Sequence, residues 1–241
     1  MINAKRACLR FYGNEKIAYY TAHSHKNEKG ILDDNILNTL SNQVIVMHDY
    51  NKINYKYSYQ NIECNIHLLR DIEKCKMNTC HYWCDEFKHL IQKAMHDRKQ
   101  LLNNKEEKFD EEYITDFDDK FNDILLNAIA ENKTKDKTHY DSEEKALINR
   151  ILEYKSNYFM WIHDFTLPYD DNLSERALRG TKSKMKVVGQ FQNEQNAKYY
   201  ADIKTYVETC YRNNINPTDA LIRLMEDNLY TVEEIFPNEK K

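Results

Sequence analysis

The chain has 241 residues, of which 41% are hydrophobic, 12% aromatic and 31% charged, with only 4 Gly and 3 Pro; this balance excludes collagen-like, linker-like and wholly disordered chains and leaves apolar material for one or two domain cores. A formal net charge of -4 excludes a uniformly basic coat, so contact with nucleic acid would have to come from local clusters. No stretch approaches the roughly 18 consecutive apolar residues of a membrane span, and the first turns of the sequence carry polar groups in place of a signal-peptide core. A cytoplasmic protein with no membrane partner is therefore expected, its six cysteines remaining free thiols in a reducing compartment.

In chain order, Ala7, Leu9 and Phe11 alternate with Arg6, Cys8 and Arg10, the period of two that marks a strand. Gly13 and Asn14 supply a turn into a second strand over residues 16–21, which predicts a β-hairpin. Asp33 and Asp34 are expected to cap a short helix containing Ile36, Leu37 and Leu40. The unbroken apolar run 44–47 predicts a buried strand that ends at His48 and Asp49. A short extended segment over 61–64 leads into a helix from about residue 67 to 76.

From there apolar residues recur at three and four. Trp83, Phe87, Leu90 and Ile91 head one such series, Ile114, Phe117, Phe121 and Leu125 a second, and Leu147, Ile148 and Ile151 a third. Asp141 is expected to cap the third helix with Glu144 at its third position, and the Lys-rich stretch 132–138 reads as a loop. Residues 167–172 form an extended entry into a helix starting near Leu173, and Gly189 interrupts the chain. An amphipathic helix over about 194–213 presents Ala197, Tyr200, Ile203, Val207 and Cys210 on its apolar face. The last helix has Asn216 as N-cap and Pro217 at its first position. The order predicts a mixed α/β domain beginning at 1–76, an all-α insertion at 77–163 and a C-terminal helical part at 164–241.

Charge is segregated along the chain. Arg176, Arg179, Lys182, Lys184 and Lys186 follow one another with no acid between them, whereas 106–119 holds eight acids against Lys108, a pattern most simply read as a solvated helix face. Asp49 closes an apolar strand, the place where ligands gather in α/β sheets, although a turn-capping Asp fits the same position. Glu175 stands three residues after Asn172, the spacing of a capping box; it could equally face Asp49 so that two carboxylates share divalent cations while the basic residues neutralise phosphates. Cys64 and His67 have the separation of a half zinc site, but Cys80, His81 and Cys84 complete no closed four-ligand pattern with them. Nucleotide-binding and serine-hydrolase motifs are absent.

The run Leu-Pro-Tyr-Asp-Asp-Asn-Leu-Ser-Glu-Arg-Ala-Leu-Arg at 167–179, continued by Lys182, Lys184, Lys186 and Gly189-Gln-Phe, resembles the C-terminal catalytic segment of the insertion sequence 66 family of bacterial transposases. A hydrophobic strand ending in His48-Asp49 and a Cys-x-x-His-Leu-Leu-Arg-Asp segment from Cys64 through Arg70 to Asp71 precede it in the family's order. The resemblance implies an RNase H-like fold with a DDE-type site for cleaving and joining DNA at transposon ends. Asp49 would be the second acid and Glu175 the third, together holding Mg²⁺ or Mn²⁺, with His48, Cys64, His67, Arg70 and Asn172 as supports and the five basic side chains on DNA.

It also implies a departure. The family's first acid lies on a strand ahead of the hairpin, and here the first acid in the sequence is Glu15, beyond the hairpin turn. The expected fold is thus an RNase H-like mixed sheet lacking its first, central strand, helix-dominated overall. Two readings follow: a truncated or split transposase, inert unless an upstream polypeptide supplies the strand and acid, or a non-catalytic DNA-binding and assembly protein that modulates intact transposase. A homo-oligomer is compatible with either.

Overall fold

The computed structural model describes residues 8–24, 27–57, 60–134, 139–189 and 191–237. Strands β1 (Cys8–Gly13) and β2 (Ala18–His23) form the expected antiparallel hairpin, with Cys8 opposite His23 and Gly13 opposite Ala18; Arg6 and Ala7 of the expected strand lie outside the described residues. The second strand starts at Ala18 and not at Lys16 because the Asn14 side chain accepts the N–H groups of both Lys16 and Ile17 (2.9 and 2.8 Å) and holds them in the turn. A Cβ on Gly13 would meet the Ile17 carbonyl at 2.3 Å, so this close approach requires glycine.

Helix α1 (Glu28–Asp34) corrects the reading of Asp33 and Asp34 as an amino-terminal cap: they form its last turn. The physical reason is the pair of asparagines around it. Asn27 caps the amino end by accepting from the Gly30 N–H, and Asn35 terminates the helix in the left-handed conformation at φ 53°, leaving a single 3-10 turn at Leu37–Thr39. Strand β3 (Ile45–His48) then pairs in parallel with β4 (Gln60–Glu63), Ile45 opposite Gln60 and His48 opposite Glu63. The burial expected at 44–47 is not found, since Val44 and Ile45 are 37% and 40% exposed. Among the described residues, β4 is the one strand beside β3, so nothing in this sheet covers that apolar run on its other edge.

Helices follow: α2 (Asn65–Thr79), α3 (Trp83–Asn103), α4 (Glu111–Thr134), α5 (Asp141–Glu153) and α6 (Lys155–Phe159), then α7 (Asn172–Val188), α8 (Glu194–Arg212), α9 (Pro217–Met225) and α10 (Val232–Ile235). Helix α4 runs through the first part of the loop expected from residue 132, and 135–138 lie outside the described residues. Gly189 follows α7 at φ 85°, and Asn216 with Pro217 opens α9 as read from the sequence. Among the described residues the fold is helix-dominated, with two sheets of two strands each. Among the described residues no helix is long and apolar enough to cross a membrane. All six cysteines are free.

The chain forms two compact units, one of residues 1–41 with 172–241, the other of 42–171. In the first, the hairpin packs on α7 and α8 through small side chains, with Ala18, Ala22, Ala177, Ala197 and Ala201 all buried around Tyr20. Of the expected apolar face of α8, Ala197 and Cys210 are buried, but the face that meets the hairpin departs from it. Ile203 is 44% exposed, and the contact runs through Ala197, Ala201, Thr205 and Thr209. The approach is close enough that Thr209 Oγ1 accepts the Ala18 N–H at 3.2 Å and donates to the Ala18 carbonyl at 2.9 Å, while Thr205 Oγ1 accepts the Tyr20 N–H at 2.8 Å. Bulkier apolar residues would leave these edge groups of β2 without partners.

The second unit has a large aromatic core: Trp83, Phe87, Phe109, Phe117, Phe121, Tyr158, Phe159, Trp161 and Phe165 are buried together between α2, α3, α4, α5 and the segment after α6. Two charged side chains are buried with them. Glu144 is not the capping residue that its spacing from Asp141 suggested; the N-cap is Tyr140, and Glu144 Oε1 accepts from His81 Nδ1 and Trp83 Nε1 at 2.6 and 2.7 Å while Oε2 accepts from Asn132 at 2.6 Å. Arg98 donates to the carbonyls of Phe165 and Leu167 and lies 5.2 to 5.6 Å from the rings of Trp161, Phe165 and Tyr169. It thereby ties α3 to the stretch 164–171 that leads into α7.

Candidate functional site

Parallel pairing explains why Asp49 and Cys64 meet. The register ends with His48 opposite Glu63, so the residues that leave the two strands next, at their carboxyl ends, are Asp49 and Cys64. Cys64 is also the N-cap of α2, and His67 stands at the third helical position, the spacing at which a capping residue and its partner point to the same helix end. One carboxylate oxygen of Asp49, the Cys64 sulfur and one ring nitrogen of His67 all lie within 4.8 Å of one another. Among the described residues this is the one group of three such side chains close enough to hold a metal ion.

Each member is held in place. His67 Nδ1 is 2.8 Å from Asp49 Oδ1, and Arg70 lies 3.3 Å from His67 Nε2. Arginine can only donate, so in this arrangement Nε2 accepts and the proton sits on Nδ1, facing the carboxylate. Cys64 is 2% exposed and its sulfur accepts the Asp171 N–H at 3.3 Å; burial pushes the thiol pKa up, against the pull of backbone N–H groups of His67, Asp171 and Ile66. The Asp49 side chain is 56% exposed, which leaves the group open to solvent on one side.

Behind it, His48 secures the strand end. Its Nδ1 donates to the Asp49 carbonyl and its Nε2 meets Asn61 Oδ1, both at 2.7 Å. Glu63, fully buried, accepts from the Tyr55 hydroxyl at 2.6 Å. Burial raises its pKa, outweighing the opposing effects of His48, Tyr55 and Arg150, and its second oxygen has no hydrogen-bond partner. Asn65 closes the arrangement: its side chain donates to the Tyr158 carbonyl at 2.6 Å and its N–H to the Tyr169 carbonyl at 2.9 Å. Sequence spacing gave no sign of Glu63, Tyr55 or Asn65. The parallel register, not a motif, brings them to this corner.

The remaining residues named from the sequence lie on α7 in the other unit. Successive helical residues turn by about 100°, so Glu175, Arg179, Lys182 and Lys186 fall along one stripe, with Arg176 beside it. Arg176, Arg179, Lys182 and Lys186 are exposed and Glu175 is half-buried. Lys184 belongs to the opposite side, where its ammonium sits 4.0 Å from the Tyr200 ring and 5.6 Å from that of Phe191. That side also carries Ala177 and Thr181, whose hydroxyl is 3.2 Å from the Tyr200 hydroxyl. Asn172 is the first residue of the helix, and its carbonyl accepts from Arg176. All five basic residues are exposed, but only four share this surface, while Lys184 leaves the opposite side of α7 over the Tyr200 and Phe191 rings.

The donor types at the two places differ. Asp49 and Glu175 offer oxygen, which suits Mg²⁺ or Mn²⁺, whereas Cys64 and His67 offer sulfur and nitrogen, which do not suit Mg²⁺. A model of the Transposase IS66 family matches residues 3–199, a span that takes in Asp49, Cys64, His67, Glu175 and the basic stripe. No curated protein and no solved structure matches the chain.

Proposed function

Because the chain belongs to the IS66 family of transposases, we propose that it is the Asp49- and Glu175-bearing part of an RNase H-like, DDE-type catalytic domain that cleaves and joins DNA strands at the ends of an insertion sequence. The observation that carries this reading is the family match spanning both acids, joined to the position of Asp49, an exposed carboxylate at the carboxyl end of a parallel strand pair.

Asp49 and Glu175 would hold the Mg²⁺ or Mn²⁺ ions, which when bound supply Lewis-acid activation of an attacking hydroxyl and of the leaving oxygen at phosphorus. The chain's own residues do the rest. His48 fixes the backbone at Asp49, His67 orients its carboxylate, and Arg176, Arg179, Lys182 and Lys186 neutralise backbone phosphates so that the scissile bond is presented to the acids. Within these residues the set has two acids. The family's first acid would come from polypeptide outside them. Two carboxylates alone bind hard cations weakly and position phosphate poorly, so the 241 residues by themselves should be inert.

A Mn²⁺-dependent nicking assay on transposon-end duplex tests this. The chain alone should not nick; supplemented with an upstream segment carrying the first acid it should, and Asp49→Asn or Glu175→Gln should abolish that activity. Nicking by the chain alone that survives Asp49→Asn would overturn both the site and the two-acid reading. The four basic residues on one face of α7 also favour a second reading, a non-catalytic DNA-binding and assembly role. It is distinguished by salt-dependent DNA binding that Lys182→Glu with Lys186→Glu removes, with no nicking under any supplementation.

A further inference from the structure

The corner formed by Asp49, Cys64 and His67 mixes a hard carboxylate oxygen with a soft sulfur and a borderline imidazole nitrogen, and this mixture is unexpected for a site that serves only Mg²⁺. We infer that Asp49, Cys64 and His67 form a three-ligand site for a single transition-metal cation of the Zn²⁺ class, with a further coordination position open to solvent. The inference goes beyond the transposase reading. It needs only the geometry of residues 42–171, although it shares Asp49 with that reading.

Three features carry it. The ligand atoms already converge within 4.8 Å, while tetrahedral coordination with ordinary bond lengths sets ligand atoms roughly 3.3–3.6 Å apart. The adjustment required is therefore about an ångström; the present contact of Asp49 with His67 Nδ1 at 2.8 Å would open as the cation took Nδ1, the ring proton passing to Nε2 and the exposed Arg70 turning away from it. Cys64 and His67 are set by the backbone, one as N-cap and one on the first turn of α2, so both offer their S and N at the same helix end. The sulfur, moreover, lies buried with a backbone N–H from Asp171 directed at it, an arrangement that stabilises a thiolate once a cation compensates its charge. Ligand softness then sets the choice of ion: thiolate with imidazole binds Zn²⁺ or Co²⁺ far better than Mg²⁺ or Ca²⁺.

Zn²⁺ at this corner would occupy Asp49, the same carboxylate that the catalytic reading assigns to Mg²⁺ or Mn²⁺. The two cations would compete, and Zn²⁺ would hold the site in a form that cannot complete a DDE-type set.

Titrating the full chain with Co²⁺ under reducing conditions tests the inference. A thiolate-to-Co²⁺ charge-transfer band should appear and saturate at one equivalent, Zn²⁺ should displace it, and a roughly hundredfold excess of Mg²⁺ should not. Cys64→Ser should abolish the band. His67→Ala and Asp49→Asn should each weaken Co²⁺ binding by at least about tenfold, since even outer-shell partners of metal ligands are worth that much, and Cys80→Ser, at an exposed cysteine, should leave it unchanged. No band, or a band that persists in Cys64→Ser, would overturn the inference. Should Cys64→Ser lose helical circular dichroism, the surface variant Asp49→Asn decides, and unaltered affinity there would overturn it as well. The two readings fail separately: a band with no nicking leaves the metal site standing, and nicking without a band leaves the transposase reading standing.

Discussion

The two units of the molecule are stabilised in different ways. Residues 42–171 bury a set of large aromatic side chains, Trp83, Phe87, Phe121, Phe159 and Trp161 among them, each of which removes more than a hundred square ångströms from water. Residues 1–41 with 172–241 bury mainly alanines around Tyr20, and the hairpin is held to α8 by threonine hydroxyls on the edge of β2. Apolar burial scales with area, so the second arrangement depends much more on hydrogen bonds at close approach. The difference also separates the two functional features. The Asp49 corner is anchored to an aromatic core through Asn65 and Tyr158, whereas the basic stripe of α7 lies on a unit with little apolar reserve.

That comparison can be broken or sharpened by substitution. The largest loss is expected from Phe87→Ala, because Phe87 is fully buried with rings at 5.5 to 6.3 Å on three sides; about 3–5 kcal/mol of unfolding free energy should disappear in a denaturant titration. Thr209→Val should cost about 1–3 kcal/mol by stripping the Ala18 N–H and carbonyl of their partner, with faster amide exchange appearing in β2. A negligible cost there would show that the hairpin is held by packing after all.

Two carboxylates, one in each unit, should respond to pH with opposite sign. Burial alone would raise Glu208, but hydrogen bonds from Lys204, Tyr20 and Arg212 outweigh it and hold its pKa below the ordinary 4.5. Its stabilisation is therefore present above pH 4.5 and lost as pH falls through the lowered value, and Glu208→Gln should flatten that acid limb of a Tm-against-pH curve. Glu63 is raised above 4.5 by burial, so its protonated form favours the fold at low pH and that contribution disappears as pH rises through the raised value. Glu63→Gln should leave neutral-pH stability equal or higher. The smallest stability effect, within about 0.5 kcal/mol, is expected for Lys182→Glu with Lys186→Glu, both exposed, even as DNA binding weakens and becomes less salt-dependent.

Much of this was legible in the sequence where one strong local signal acts. The alternation before Gly13, the apolar spacing from Trp83 onward and the Asn216-Pro217 start of α9 each dictate an element by themselves. The reading failed where a competing side chain decided the outcome. Asn27 and Asn35 bound α1 so that Asp33 and Asp34 end it instead of opening it, and buried partners drew Glu144 away from a capping role. Small residues rotated α8 so that Ile203 faces outward. Asp49, Cys64 and His67 could be named from spacing and family likeness, but their convergence depends on a parallel register that no local pattern records. Glu63 and Tyr55 behind them were invisible for the same reason.

The central claim is that Asp49 and Glu175 share catalytic cations. The most direct measurement is the anomalous scattering of Mn²⁺ in crystals of the chain bound to its upstream segment and transposon-end DNA. The account predicts manganese with a carboxylate oxygen of Asp49 and one of Glu175 each at about 2.2 Å. Manganese at Asp49 with the Glu175 carboxylate far outside its coordination sphere would contradict it.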